Sequence, residues 1–131
     1  MEILIVDDDN IVCMLHRNQL LRSQVPYKLV TCSNGKQAFE YIRSKKEEVN
    51  SFLVLLDINM PVMNGWEFLE KFKEKSLDTD IYVVLVSSST YRDDKQKAFR
   101  SDKVIDYVTK PLGVSDVEKI KNLKEIKSYF N

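Results

Sequence analysis

The stretch ILIVDDDN, Ile3 to Asn10, sets four apolar residues directly against three carboxylates. An uninterrupted run such as Ile3-Leu4-Ile5-Val6 suits a strand covered on both faces, whereas a strand with one wet face would alternate. From Ile11 the spacing changes. Ile11, Met14, Leu15 and Leu21 recur at helical intervals until Pro26, so strand gives way to helix. Asp7, Asp8 and Asp9 therefore stand at the carboxyl end of a buried strand, where concentrated negative charge is costly without compensation.

Working outward, the same alternation runs the length of the chain. Tyr27 to Cys32 reads as a second strand, Ser33-Asn34-Gly35 as a turn, and Ala38, Phe39 and Ile42 as the apolar face of a helix fading into the charged stretch Lys45 to Glu48. FLVLLD, residues 52–57, is the most apolar strand and also ends on an acid, Asp57. Asn64 with Glu67 forms a capping-box pattern for a helix with Phe68, Leu69 and Phe72 inward. IYVVLVS, residues 81–87, is the fourth strand. The charged segment Tyr91 to Lys103 is expected to hold a helix with Ala98 and Phe99 inward, ahead of the fifth strand VIDYVT, residues 104–109. Ser115 to Glu118 suggests another capping box, opening a last helix with Val117, Ile120, Leu123 and Phe130 on one side. Five strands alternating with five helices require an α/β fold, a five-stranded parallel sheet with helices on both faces. In such sheets ligands bind beyond the carboxyl ends of the strands. That edge collects Asp7, Asp8, Asp9, Asp57, Ser87 and Lys110.

Composition narrows the function. The 131 residues suit one domain, 1–131, and 20 basic residues balance 20 acidic ones. Zero net charge offers no field for nucleic acid or anionic lipid, and no apolar run approaches bilayer length, so neither nucleic acid nor membrane is an expected partner and a cytoplasmic location is expected. Cys13 and Cys32 have no ligand-like spacing and read as small buried thiols.

Several carboxylates in one crevice repel one another and would partly protonate unless compensated. Magnesium, which takes one or two carboxylates and keeps room for a phosphoryl oxygen, removes that conflict. With a lysine and a hydroxyl beside it, the edge has the parts for phosphoryl transfer, and Asp57, alone at the end of the central strand, is the acid best placed to attack phosphorus.

Four pieces, IVDDD (5–9), LLDINMPVMNGWEFL (55–69), VVLVSSS (83–89) and YVTKPL (107–112), together resemble the receiver domain of two-component response regulators over essentially the whole chain. The resemblance implies a flavodoxin-like sheet of order 2-1-3-4-5. It also implies that Asp57 accepts a phosphoryl group from a phosphohistidine on a histidine kinase or histidine phosphotransfer protein. Asp7, Asp8, Asp57 and the backbone carbonyl of Asn59 would hold magnesium. Ser87 and Lys110 would bond phosphoryl oxygens, and Tyr107 would report the Ser87 contact through its rotamer. Lys110-Pro111 matches a bond that is often cis in the family. Output is expected through the surface of the fourth helix, fifth strand and fifth helix to another protein, with no output domain expected. Ser88 replaces the smaller residue usual in the family, and Asn59 and Ser89 flank the expected path of hydrolytic water.

Other readings remain open at this point. Asp9 immediately precedes a helix and suits capping better than metal binding. His16 lies mid-helix and is expected at the surface or half-buried, away from the acidic edge, while Trp66 is packing or a reporter of the site. A pseudo-receiver acting as a constitutive binding module has the same fold. A haloacid-dehalogenase-type phosphohydrolase would use Asp7 as nucleophile and Asp9 as general acid.

Overall fold

The computed structural model describes residues 1–74, 78–88 and 92–131. Five strands, β1 (Glu2–Val6), β2 (Lys28–Cys32), β3 (Ser51–Leu56), β4 (Asp80–Ser87) and β5 (Val104–Thr109), alternate with α1 (Asn10–Arg22), α2 (Gly35–Lys45), α3 (Gly65–Glu74), α4 (Arg92–Ala98) and α5 (Val114–Lys121). All four strand pairings are parallel, in the order β2-β1-β3-β4-β5. The expected doubly wound sheet is what forms. The reason is visible in β3, where every residue from Ser51 to Leu56 is buried and side chains on both faces require helical cover.

Two apolar layers flank the sheet. Leu4, Val6, Val54, Leu56, Val83 and Leu85 point to the side covered by α2 and α3. Ile3, Ile5, Leu53, Leu55, Val84 and Val86 point to the side of α1 and α5. On β5 the simple alternation fails. Val83 pairs with Val104 but Val84 pairs with Asp106, so Ile105 is an extra residue that bulges from the ladder. The bulge puts Val104 and Tyr107 into the same core despite their odd spacing, because one inserted residue reverses the faces of all that follow.

Two sequence expectations need correction, on Phe99 and on the last helix, and α1 acquires an inward side that the sequence reading does not assign. Apolar periodicity identified α1, but Ile11, Met14, Leu15 and Leu21 are its exposed side, with Ile11 at 65% exposure, and Cys13, His16 and Leu20 are the buried side. Phe99 is likewise not inward: Ala98 is buried, while Phe99, past the last residue of α4 and about 100° further round a helix, is 49% exposed. The last helix begins at Val114, with Gly113 rather than Ser115 as the cap residue, and the Gly113 N–H donates to the Asp116 carboxylate at 2.8 Å.

That helix also ends early. It stops at Lys121, where the Asn122 side-chain amide donates to the Glu118 carbonyl at 2.7 Å and satisfies an end carbonyl. The chain then turns through Lys127–Tyr129, a short 3-10 helix, placing Ile126 fully inside the α1/α5 layer. Tyr129 packs edge-on against Tyr82, and Phe130 against Tyr27, so the tail closes the core edge. Phe130 thus packs at the core edge after a turn and a 3-10 helix rather than along α5. Ile126→Ala is expected to lower the unfolding free energy by about 2–5 kcal/mol, as for a fully buried aliphatic side chain. Urea denaturation measures it, and a loss near zero would mean the tail is not part of the core.

Candidate functional site

Backbone ladders carry the polar residues to one edge of the sheet. The Asp7 N–H donates to the Cys32 carbonyl at 3.0 Å, the Asp57 N–H to Val6 at 2.9 Å, and the Lys110 N–H to Ser87 at 2.8 Å. Each residue one step past a strand is therefore pinned to the neighbouring strand. Asp7 and Asp57 extend the two adjacent central strands, and Lys110 sits beside Ser87, which is fully buried at the end of β4. Lys110-Pro111 is cis, as expected.

The side chains converge there. The Lys110 ammonium is 2.6 Å from the Asp7 carboxylate and 3.3 Å from that of Asp57. Carboxylate oxygens of Asp7, Asp8 and Asp57 all lie within 4.8 Å of one another. Asp7 and Asp57 are only 2% and 6% exposed, whereas Asp8 opens to solvent. Burial raises the pKa of Asp57 above the usual carboxylate value, and the charge of Asp7 raises it further; Lys110 and the Ile58 N–H, 2.9 Å away, offset only part of this. Burial alone would weaken the charge on Lys110, yet its bond to Asp7 and the two carboxylate charges overcome that and raise its pKa. The cluster is thus short of positive charge. Three hard oxygen donors, two of them held rigidly, suit a small divalent cation such as magnesium, so Asp7, Asp8 and Asp57 fit the expected metal set. Asn59 is at the exposed start of the next loop.

Local chemistry shapes the surroundings. Asp9 is an N-cap, its carboxylate accepting from the N–H groups of Ile11 and Val12 at 2.9 and 3.3 Å. Asn64 and Glu67 form the capping box reciprocally, at 2.9 and 3.1 Å, and open α3. Gly65 passes so close to the strand end that a Cβ there would lie 2.6 Å from the Asp57 carbonyl oxygen. Between them, Val62 has φ 67° within a tight turn closed by the Met63 N–H on Pro61 at 2.7 Å. For a β-branched residue this is strained backbone at the lip of the site.

His16 is where sequence reasoning missed a contributor. It is 3% exposed, and its Nε2 accepts from the Leu112 N–H at 3.3 Å, tying α1 to the segment that carries Lys110. Burial lowers its pKa below the ordinary 6.5, with Asp7 opposing and Lys110 assisting. The only signal in the sequence is a polar residue at the helical spacing of Cys13 and Leu20, on the face that turns out to be buried. Tyr107 is buried, with Lys95 of α4 6.0 Å from its ring centre, and Trp66 is half-buried beneath Lys97, 4.4 Å from its ring centre. Cys13 and Cys32 are both buried free thiols, as expected. Ser89 lies outside the described residues.

Comparison with known proteins agrees with this geometry. The family model described as the response regulator receiver domain matches residues 3–122. The chain belongs to that family. This receiver is 32% identical over 130 residues to the probable methanogenesis regulatory protein FilR2 of Methanothrix harundinacea, covering 98% of this chain and 82% of that one. It is 33% identical over 129 residues to the two-component response regulator ARR17 of Arabidopsis thaliana, covering 92% and 82%. Some longer relatives are spanned over less than half their length. Among solved structures, a two-component response regulator from Cytophaga hutchinsonii superposes with TM-score 0.82 at 29% identity, covering 92% of this receiver and 93% of that chain. No helix among the described residues is long and apolar enough to cross a membrane.

Two stability measurements follow from the site. The His16 pKa is lower folded than unfolded, so below pH 6.5 the unfolded chain takes up a proton that the folded receiver resists. Its contribution is complete above pH 6.5 and is lost as the pH falls through the lowered folded value. His16→Leu, which leaves the Leu112 N–H without its acceptor, is expected to cost about 1–3 kcal/mol at pH 7.5 and to flatten that acid dependence. Denaturation across pH reads both. Asp57 runs the other way, because its raised pKa means that ionisation erodes stability as pH rises past the usual carboxylate range. Asp57→Asn is therefore expected to melt above the wild type at pH 7 in metal-free buffer; a lower melting temperature would show that the Lys110 contact outweighs burial and repulsion.

Proposed function

We propose that this receiver is a phosphoryl-accepting switch in which Asp57 is the acceptor. The observation that carries the reading is the convergence of Asp7, Asp8 and Asp57, with the Lys110 ammonium 3.3 Å from Asp57, at the strand edge of a chain in the receiver family. The donor is a phosphohistidine on a histidine kinase or histidine phosphotransfer protein. An Asp57 carboxylate oxygen attacks phosphorus, the phosphorus–nitrogen bond breaks, and the bond electrons leave with the imidazole, which takes a proton. Asp7, Asp8, Asp57 and the Asn59 carbonyl would hold magnesium, which would supply neutralisation of charge on the transferring group.

The chain's own groups do the rest. Lys110, held at the site by its backbone bond to Ser87, reaches the oxygens of a group on Asp57 and balances the added charge. The Ser87 hydroxyl donates to another oxygen. Moving Ser87 alters the packing beside buried Tyr107, whose ring lies under Lys95 of α4, so the change passes to the face formed by α4, β5 and α5. A target protein reads that face. The phosphohydrolase alternative is disfavoured because its two acids are engaged elsewhere, Asp7 with Lys110 and Asp9 with the start of α1.

Incubation with acetyl phosphate followed by intact-protein mass measurement tests the reading. A phosphoryl adduct is expected with magnesium and not without it, and it should be absent in Asp57→Asn. Lys110→Ala should slow its formation by about a hundredfold or more, as for loss of a preorganised charge-stabilising donor. Failure to form an adduct, together with no response of the protein to beryllofluoride, would overturn the switch and leave a constitutive binding module.

A further inference from the structure

Between α3 and α4 lies a groove of about 350 Å³ lined by Trp66, Leu69, Lys97, Arg100 and Ser101, with the Glu70–Lys73 pair at its margin. Its floor is aromatic and aliphatic, and its α4 wall is basic. Among the described residues neither Lys97 nor Arg100 has a carboxylate partner; Lys97 instead lies over the Trp66 ring at 4.4 Å. Lys73 is paired with Glu70 at 3.3 Å, so the positive charge left uncompensated belongs to the α4 wall. A chain of zero net charge has placed that excess beside its single tryptophan.

The groove does not end there. A second hollow shares Trp66 and Glu70 on α3, and a third shares Arg100 and includes the 49% exposed Phe99 just past α4. The first two hollows, joined through Trp66 and Glu70, form a track on the α3 side of α4; the third shares only Arg100 and is lined by Lys95, on the Tyr107 side of α4. A small ligand needs one enclosed pocket that covers most of its surface. A track of shallow apolar steps, with Lys97 and Arg100 on its α4 wall and Glu67, Glu70 and Lys71 along α3, fits a chain segment with side chains at intervals.

We propose that the α3–α4 track is a docking surface for an acidic segment of a partner protein, with apolar side chains seated against Trp66 and carboxylates paired with Lys97 and Arg100. Charge complementarity decides the class of partner, because a basic segment would face two unpaired cations, and like charges brought together at an interface oppose binding. Displacing Lys97 from the indole exposes the aromatic floor to the incoming apolar group and frees the ammonium for a carboxylate. The surface lies on the α3 side of α4, and the inference does not depend on phosphoryl transfer at Asp57.

The sole tryptophan makes the test direct. A synthetic peptide of repeated Glu-Leu-Asp-Phe units is titrated against the whole chain, with a Lys-Leu-Lys-Phe peptide as counterpart, while Trp66 fluorescence is followed. A saturable change is expected with the acidic peptide only, weakening as salt is raised. The double variant Lys97→Glu with Arg100→Glu, both at exposed positions, should bind at least about tenfold more weakly while melting like the wild type. Amide shift mapping should place the perturbation on α3 and α4. An equal response to the basic peptide, unchanged affinity in the double variant, or shifts confined to another face would overturn the proposal. So would self-association by sedimentation, without peptide, that the double variant abolishes, since that would assign the track to a second copy of the chain.

Discussion

Two carboxylates at the ends of adjacent buried strands, with one ammonium between them, are the constraint around which the rest of this receiver is arranged. Asp7 and Asp57 cannot move apart, because their backbone N–H groups are bonded into the ladders of β2 and β1. Their mutual repulsion and their burial are met in part by Lys110, 2.6 Å from one and 3.3 Å from the other. One cation for two buried anions, with Asp8 adding a third carboxylate from the exposed side, leaves the cluster avid for further positive charge. A rigid scaffold makes that deficit usable. Held apart by mobile loops, the same acids would relax into solvent and have no preference for a cation or for a group that brings its own charge.

The position of Lys110 depends in turn on contacts from three directions. Its N–H is bonded to Ser87 on β4, and its ammonium to the acids of β1 and β3. The segment that follows is fixed to α1 by the Leu112 N–H on His16. A neutral imidazole is the acceptor in that bond, and burial favours the neutral form, so the lowered pKa and the hydrogen bond support each other. The helix on the far side of β5 is less enclosed. Lys95 and Lys97 of α4 lie over Tyr107 and Trp66, rings on β5 and α3, and such cation–π contacts at a wet surface are individually weak. In the proposed switch, a helix held on each side by contacts of this kind is one whose position a small change at Ser87 can bias.

Strand pattern, turn chemistry and capping were readable in one dimension because each is a short-range rule. Continuous apolar runs mark strands buried on both faces, and the polar residue after each run must then lie at the strand's carboxyl end. That is why Asp7, Asp8, Asp57, Ser87 and Lys110 could be gathered at one edge without coordinates. The Asp9 cap and the Asn64–Glu67 box were equally local, since donor and acceptor are two or three residues apart. Periodicity was less informative about direction. It located α1 but left its inward side unassigned, because a small thiol, a histidine and one leucine on the buried side give a weaker apolar signal than the exposed Ile11, Met14 and Leu15 do.

By itself, then, the sequence determined the alternating parallel fold and the membership of the acidic edge. Only the tertiary structure decided what each of those groups touches. The division of Lys110 between Asp7 and Asp57 depends on side-chain reach across separations of 103 and 53 residues, which no spacing rule encodes. The Ile105 bulge places Tyr107 in the α2/α3 layer, and it is a property of the β4–β5 pairing, not of VIDYVT alone. His16 and the tail after α5 are long-range in the same way: burial of Ile126 against α1 and α5 outweighed the helical spacing of its own segment. Local rules act through neighbouring backbone, so they survive in the sequence; contacts made by folding depend on which distant surfaces meet, and the sheet has to form before they exist.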